Sequence, residues 1–134
     1  TFIQRAYNHP RSPIRKFVNY VEMHVSDLDK AEAFYRAVFD WQPEAWGDDP
    51  HYKVVQHGKA KGIDTGLTLS RDGQPRTVAV IDVPSIDEFC EKVEAQGGQI
   101  VVEKFTIPFV GHGAFFTDPT GLLVGLHQPD PEAR

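Results

Sequence analysis

A repeated strand-to-helix junction constrains this chain more than any other feature. Val25-Ser26-Asp27-Leu28 and Val83-Pro84-Ser85-Ile86 each end a strand pattern and open a helical one, 58 residues apart. In both copies three further strand patterns follow the helix. A unit of about 60 residues buries so little surface that it is only marginally stable alone, so two units in one domain are favoured. The sequence therefore predicts an α+β fold of two tandem β-α-β-β-β modules.

The elements of the first module follow from its hydrophobic periods. Residues 17–25 alternate apolar and polar side chains from Asn19 onward, which predicts a strand with one packed face. Ser26-Asp27 supplies capping groups for a helix that runs through Phe39. Further strands are predicted at 51–56 and 63–70. We place this module at about residues 17–71, after an irregular N-terminal arm of residues 1–16.

The second module, at about residues 76–129, repeats this order. Ser85 and Glu88 form a capping box for a helix at 85–96, and Gly97-Gly98 ends that helix. Strands are predicted at 77–83, 99–105, 113–117 and 122–127, with a turn at 118–121 between the last two. Residues 17–134 are therefore expected to form a single domain that contains both modules.

Composition excludes several classes of function. The formal net charge of −5 argues against non-specific binding to nucleic acid, which needs a basic surface. No apolar run approaches the ~20 residues of a membrane span. Cys90 is the only cysteine and has no partner for an internal disulfide, which fits a reducing compartment. We expect a cytoplasmic protein that has neither a nucleic-acid nor a membrane partner.

Three segments together resemble a known superfamily. They are VSDLDKAEAFY at 25–35, VPSID at 83–87 and FTDPTG at 116–121. The chain is similar over residues 17–129 to the glyoxalase/bleomycin-resistance/extradiol-dioxygenase proteins, the vicinal oxygen chelate superfamily, and most of all to glyoxalase-related bacterial proteins of unassigned function. The resemblance implies two βαβββ modules whose mixed sheets curl into a cup. It also implies that function lies in the cup, where metal-dependent members hold a divalent ion through the first and last strands of each module.

The metal positions that the resemblance implies hold poor ligands in this chain. Counting back from the start of each helix gives Tyr20 and Val78, and counting on from the last turn gives Gly125. In the last strand of the first module only Thr68 offers an oxygen. Valine and glycine have no side-chain donor, and tyrosine and threonine are poor ligands for zinc or nickel. We therefore expect no standard metal site and no cofactor, which argues against glyoxalase I activity.

Strand alternation indicates which side chains line the cup. The predicted lining is Tyr20, Glu22 and His24 on the first strand, Val78, Val80 and Asp82 on the strand that opens the second module, and Leu123, Gly125 and His127 on the last strand. The alternate residues, among them Leu122, Val124 and Leu126, are expected to pack on the other face. His112, between two glycines, is predicted to lie in a loop at the rim.

Three functions stay open. The first is a metal-independent protein that binds a small molecule in an apolar cup. The second is a lyase or isomerase with Glu22 as its base and His24 as orienting partner, or with Glu22, His24 and His127 as ligands of a non-standard divalent metal. The third is a non-enzymatic interaction module in which the cup forms the interface of a dimer. A homodimer is expected in each case, because open sheets leave edges and apolar faces that pairing covers.

Overall fold

The computed structural model describes residues 16–58 and 61–134. Residues Asn19–Ala79 form one compact unit, here the N-terminal unit. Residues Val80–Arg134, with the described residues 16–18, form the other, the C-terminal unit. Of the predicted irregular arm only Lys16 lies within the described residues.

The N-terminal unit runs strand, helix, then three strands. Its elements are β1 (Phe17–Val25), α1 (Leu28–Phe39), β2 (Glu44–Ala45), β3 (Tyr52–Val55) and β4 (Asp64–Leu69). The first two residues of β1 belong to the C-terminal unit. The strands lie side by side in the order β2-β3-β4-β1. β1 is parallel to β4, whereas β3 is antiparallel to both of its neighbours.

The C-terminal unit repeats this arrangement. Its elements are β5 (Arg76–Asp82), α2 (Ile86–Ala95), β6 (Gln99–Ile107), β7 (Gly111–Thr117) and β8 (Leu123–Pro129). The first residues of β5, as far as Ala79, belong to the N-terminal unit. The strand order is β5-β8-β7-β6, with β5 parallel to β8 and the other neighbours antiparallel. Two β-α-β-β-β copies with the same pairing confirm the predicted repeat and the α+β class.

Both helices begin at the predicted caps. Oδ1 of Asp27 accepts a hydrogen bond from the backbone N–H of Lys30 at 3.0 Å, and Oγ of Ser85 accepts one from the N–H of Glu88 at 3.2 Å. Each cap satisfies a donor that has no partner inside the helix. The two helix starts therefore lie where the sequence predicts them.

The core of the C-terminal unit lies between α2 and its strands. Its buried residues are Val83, Ile86, Ala114 and Leu126, against which Ile81, Phe89, Cys90 and Phe116 pack. This agrees with the predicted packing face of β5 and of the helix. The prediction that Leu122 packs is wrong, because its side chain is 61% exposed. Leu122 belongs to the preceding turn, where its N–H donates to the Asp118 carboxylate and its carbonyl accepts from the Asp118 N–H.

Candidate functional site

Four polar side chains of the N-terminal unit form one hydrogen-bonded chain, here called the Glu22 cluster: Tyr20, Tyr52, Glu22 and His24. The hydroxyls of Tyr20 and Tyr52 lie 2.7 Å apart, and that of Tyr52 donates to Oε2 of Glu22 at 2.8 Å. Oε1 of Glu22 lies 3.0 Å from Nε2 of His24. The structure thus brings together the three β1 residues that strand alternation places on one face.

A glycine makes the contact between the two tyrosines possible. β4 lies between β1 and β3, and Gly66 on β4 pairs with Glu22 on β1. A Cβ added at Gly66 would lie 2.5 Å from the hydroxyl oxygens of both Tyr20 and Tyr52. Any side chain at this position would therefore push the phenols apart.

Tyr52 is the member of the cluster that sequence reasoning missed. It lies on β3, two strands away from β1, so the alternation of β1 carries no information about it. The signal that could have found it is Gly66, because a glycine inside a strand often marks a close approach of other atoms.

Both tyrosines of the cluster are neutral hydrogen-bond donors. Burial is the largest cause that raises the pKa of Tyr20 and of Tyr52 well above the usual value for a phenol, and the negative charge of Glu22 adds to it. Because Tyr52 gives its one hydroxyl hydrogen to Glu22, the hydrogen bond between the phenols uses the hydrogen of Tyr20. The chain of donors thus runs from Tyr20 through Tyr52 to the carboxylate.

The corresponding positions of the C-terminal unit are apolar and packed. Val80 pairs with Gly125, as Glu22 pairs with Gly66 in the other unit. A Cβ at Gly125 would lie 3.1 Å from Cγ2 of Val80 and 3.2 Å from the ring of Phe115. Gly125 therefore allows close packing, and the contribution of Val80 and Gly125 to ligand binding stays a prediction.

The other predicted lining residues of β5 and β8 differ in burial. Asp82 is fully buried and Val78 is 1% exposed, while Leu123 and His127 are half-buried. Oδ1 of Asp82 lies 3.7 Å from Nδ1 of His127. The predicted grouping of His127 with Glu22 and His24 draws on both units and stays a prediction.

The prediction that His112 lies in a rim loop is wrong, because His112 lies within β7. Its Nδ1 is 3.0 Å from Oγ1 of Thr106 on β6, and its Nε2 is 3.3 Å from Oδ2 of Asp130. The glycines beside it reflect close packing: a Cβ at Gly113 would lie 2.5 Å from the ring of Phe105. A role of His112 in ligand binding stays a prediction.

The residues at the superfamily's metal positions do not fit a divalent ion. The Tyr20 hydroxyl is already bonded to Tyr52, and Val78 and Gly125 have no side-chain donor. Across residues 16–58 and 61–134, no three His, Cys, Asp or Glu side chains lie close enough together to hold a metal ion. Within the same residues, no helix is long and apolar enough to cross a membrane.

The family model of the Glyoxalase/Bleomycin resistance protein/Dioxygenase superfamily matches residues 17–126. The chain therefore belongs to this superfamily. Two curated relatives, from Mycobacterium bovis and Mycobacterium tuberculosis, carry the name "Putative glyoxylase CFP32". Each is 30% identical over 116 residues, which cover 82% of this chain and 44% of the relative. The chain therefore spans less than half the length of these relatives.

Solved structures give the same fold. The Mn(II)-bound glyoxalase from Novosphingobium aromaticivorans is 25% identical, with a TM-score of 0.60 over 89% of this chain and 40% of that one. A methylmalonyl-CoA epimerase in complex with methylmalonyl-CoA and NH4+ has a TM-score of 0.64 over 89% of this chain and 99% of that one. The epimerase is only 13% identical and shows likeness of fold alone.

Proposed function

We propose that this chain binds a small organic molecule at the Glu22 cluster, without the standard metal site of its superfamily. The observation that carries the proposal is the unbroken chain of hydrogen bonds from Tyr20 to His24. Ligand sites hold a few polar groups fixed in orientation by their neighbours, and here each polar side chain is fixed by the next. The side chains of Glu22 and His24 are each 12% exposed, so solvent still reaches them.

The solved relatives support a small-molecule ligand. The epimerase of the same fold is a complex with methylmalonyl-CoA, and the glyoxalase is a complex with Mn(II). Among the described residues of this chain, no three His, Cys, Asp or Glu side chains are grouped to hold a metal ion, whereas polar groups lie on the strand that opens the first module. We propose that these groups orient a ligand directly.

A second candidate function, acid–base catalysis of the lyase or isomerase type, is favoured by one contact. Glu22 and His24 form a carboxylate–imidazole pair at 3.0 Å. Such a pair can take a proton from a bound molecule and return it at another atom. Binding at the cluster is common to both candidates, so one screen tests both.

The screen is a thermal-shift measurement on chelator-treated protein with small metabolites, including carboxylic acids and coenzyme A thioesters. We expect at least one compound to raise the melting temperature, because a ligand of the native state stabilises it by mass action. The Tyr52→Phe variant removes a single hydroxyl from the cluster and should reduce that rise, whereas His51→Asn, at an exposed residue, should not. If every compound leaves the melting temperature unchanged, the proposal is wrong.

We also propose that the protein acts as a homodimer in the cytoplasm. Exposed apolar side chains on α1 support pairing: Phe34, Val38 and Phe39 are between 55% and 57% exposed. Sedimentation equilibrium should give twice the chain mass of 15.1 kDa. A single-chain mass at micromolar concentration would contradict this part of the proposal.

A further inference from the structure

The carboxylate of Glu22 is occupied on both oxygens. Oε2 accepts from the hydroxyl of Tyr52 at 2.8 Å, and Oε1 lies 3.0 Å from Nε2 of His24. A carboxylate whose two oxygens each lie within hydrogen-bonding distance of a neighbouring side chain is fixed in orientation. Glu22 is therefore positioned to orient Tyr52 and His24 rather than to take a proton from a ligand.

The same contact determines the tautomer of His24. An ionised carboxylate only accepts hydrogen bonds, so Nε2 of the imidazole carries the hydrogen that lies toward Oε1. In the neutral ring the lone pair then resides on Nδ1. Among the described residues no hydrogen-bonding partner of Nδ1 is present, and the side chain is 12% exposed.

We infer that Nδ1 of His24 is the atom of the Glu22 cluster that accepts a proton or a hydrogen bond from the bound molecule, with Glu22 and Tyr52 as positioning residues. The inference rests on the proposed function, since it needs a ligand at the cluster. It specifies the ligand's chemistry: the group that meets His24 is an O–H, an N–H or an acidic C–H. It also moves the base of the lyase or isomerase hypothesis from Glu22 to His24.

The proton transfer balances within the cluster. The bond from the ligand's O, N or C to hydrogen breaks, its electron pair stays on the ligand, and an N–H bond forms at Nδ1. The resulting imidazolium keeps its Nε2–H bonded to the Glu22 carboxylate, whose charge stabilises it. Tyr52, held in turn by Tyr20, keeps the carboxylate from rotating away.

The tautomer of His24 is tested first, because this measurement needs no ligand. Long-range proton–nitrogen NMR on the histidine-labelled full chain should show His24 with hydrogen on Nε2 and none on Nδ1, the signals being assigned by their loss in His24→Asn. In Glu22→Gln the amide can also donate, so the preference for this tautomer should weaken. Hydrogen on Nδ1 and none on Nε2 in the neutral wild-type ring would overturn the inference.

A compound from the thermal-shift screen provides the second test. His24→Phe, which has a ring but no acceptor, should weaken its binding about tenfold or more, the usual effect of losing one hydrogen bond to a charged or strongly polar group. Exposed His51→Phe is the matched control and should bind as the wild type does. Equal binding by His24→Phe would overturn the inference and leave the proposed function standing. Failure of the whole screen would overturn the proposed function, while the tautomer is still measured.

Discussion

At the scale of single residues, Gly66 has the most definite structural role. Its missing side chain leaves room for the hydroxyls of Tyr20 and Tyr52, each 2.5 Å from where a Cβ would lie. A strand glycine normally weakens a sheet, because it adds conformational entropy to the unfolded chain and offers no side chain to pack. Here the same glycine permits the hydrogen bond between Tyr20 and Tyr52, the first in the series that leads to Glu22.

Gly66→Ala should therefore destabilise the protein and break the contact between the phenols. We expect the free energy of unfolding to fall by about 1–3 kcal/mol, the usual cost of inserting a methyl group into a packed site. Gly62→Ala is the control, since the nearest atom to its added Cβ among the described residues is on His57 at 3.7 Å, and its effect should stay within about 0.5 kcal/mol. Urea unfolding of both variants measures the difference; equal stability would show that the space at Gly66 is not required.

The tyrosines of the cluster predict a loss of stability at high pH. Their pKa values are raised by burial, so the folded state keeps both phenols neutral at a pH where the unfolded chain ionises them near pH 10. This contribution to stability is complete below pH 10 and is lost as the pH rises above it.

Above pH 10 the free energy of unfolding should fall by up to about 1.4 kcal/mol per pH unit for each tyrosine. Urea unfolding of the wild type and of Tyr52→Phe between pH 8 and 11 measures it. The stability of Tyr52→Phe should decline less steeply above pH 10, because one of the two groups is gone. Parallel curves would mean that Tyr52 ionises as easily in the folded protein as in the unfolded chain.

At the scale of elements, local sequence determines where the helices begin. Asp27 and Ser85 each hold the N–H group three residues on, and both were identified from sequence as capping residues. The strand bounds agree to within about two residues, because alternation and turn chemistry are local signals. Packing between elements is less local, which is why the placements of Leu122 and His112 were wrong.

The two caps predict matched losses of stability. Asp27→Ala and Ser85→Ala should each lower the free energy of unfolding by about 1 kcal/mol, because each removes the acceptor of a helix-terminal N–H. Ser26→Ala, at the exposed residue before Asp27, is the control and should change stability little. Helix-sensitive circular dichroism during urea unfolding measures all three, and an effect of Ser26→Ala as large as that of Asp27→Ala would argue against the cap.

At the scale of the whole molecule, the repeat made the fold predictable. Two junctions 58 residues apart indicated two copies, and the superfamily match over residues 17–126 agrees. The site was predictable only in part. Tyr20, Glu22 and His24 lie on one strand and follow from its period, whereas Tyr52 enters through the pairing of β3 with β4, which no local pattern reports.

The metal positions implied by the superfamily resemblance hold side chains with other contacts. Gly125, at a position implied for a ligand, allows close packing against Val80. The polar groups of the first strand are instead linked to each other. We propose that the chain has the superfamily's fold and binds its ligand through hydrogen bonds of the Glu22 cluster.

Amide chemical-shift mapping can show whether a ligand binds at the Glu22 cluster without a metal, as we propose. A compound from the screen is added to nitrogen-labelled, chelator-treated protein. We expect the largest shifts on Tyr20–His24 and on Tyr52, and we expect added divalent metal to change neither their position nor their size. Shifts confined to residues away from the cluster, or shifts that appear only when metal is added, would contradict it.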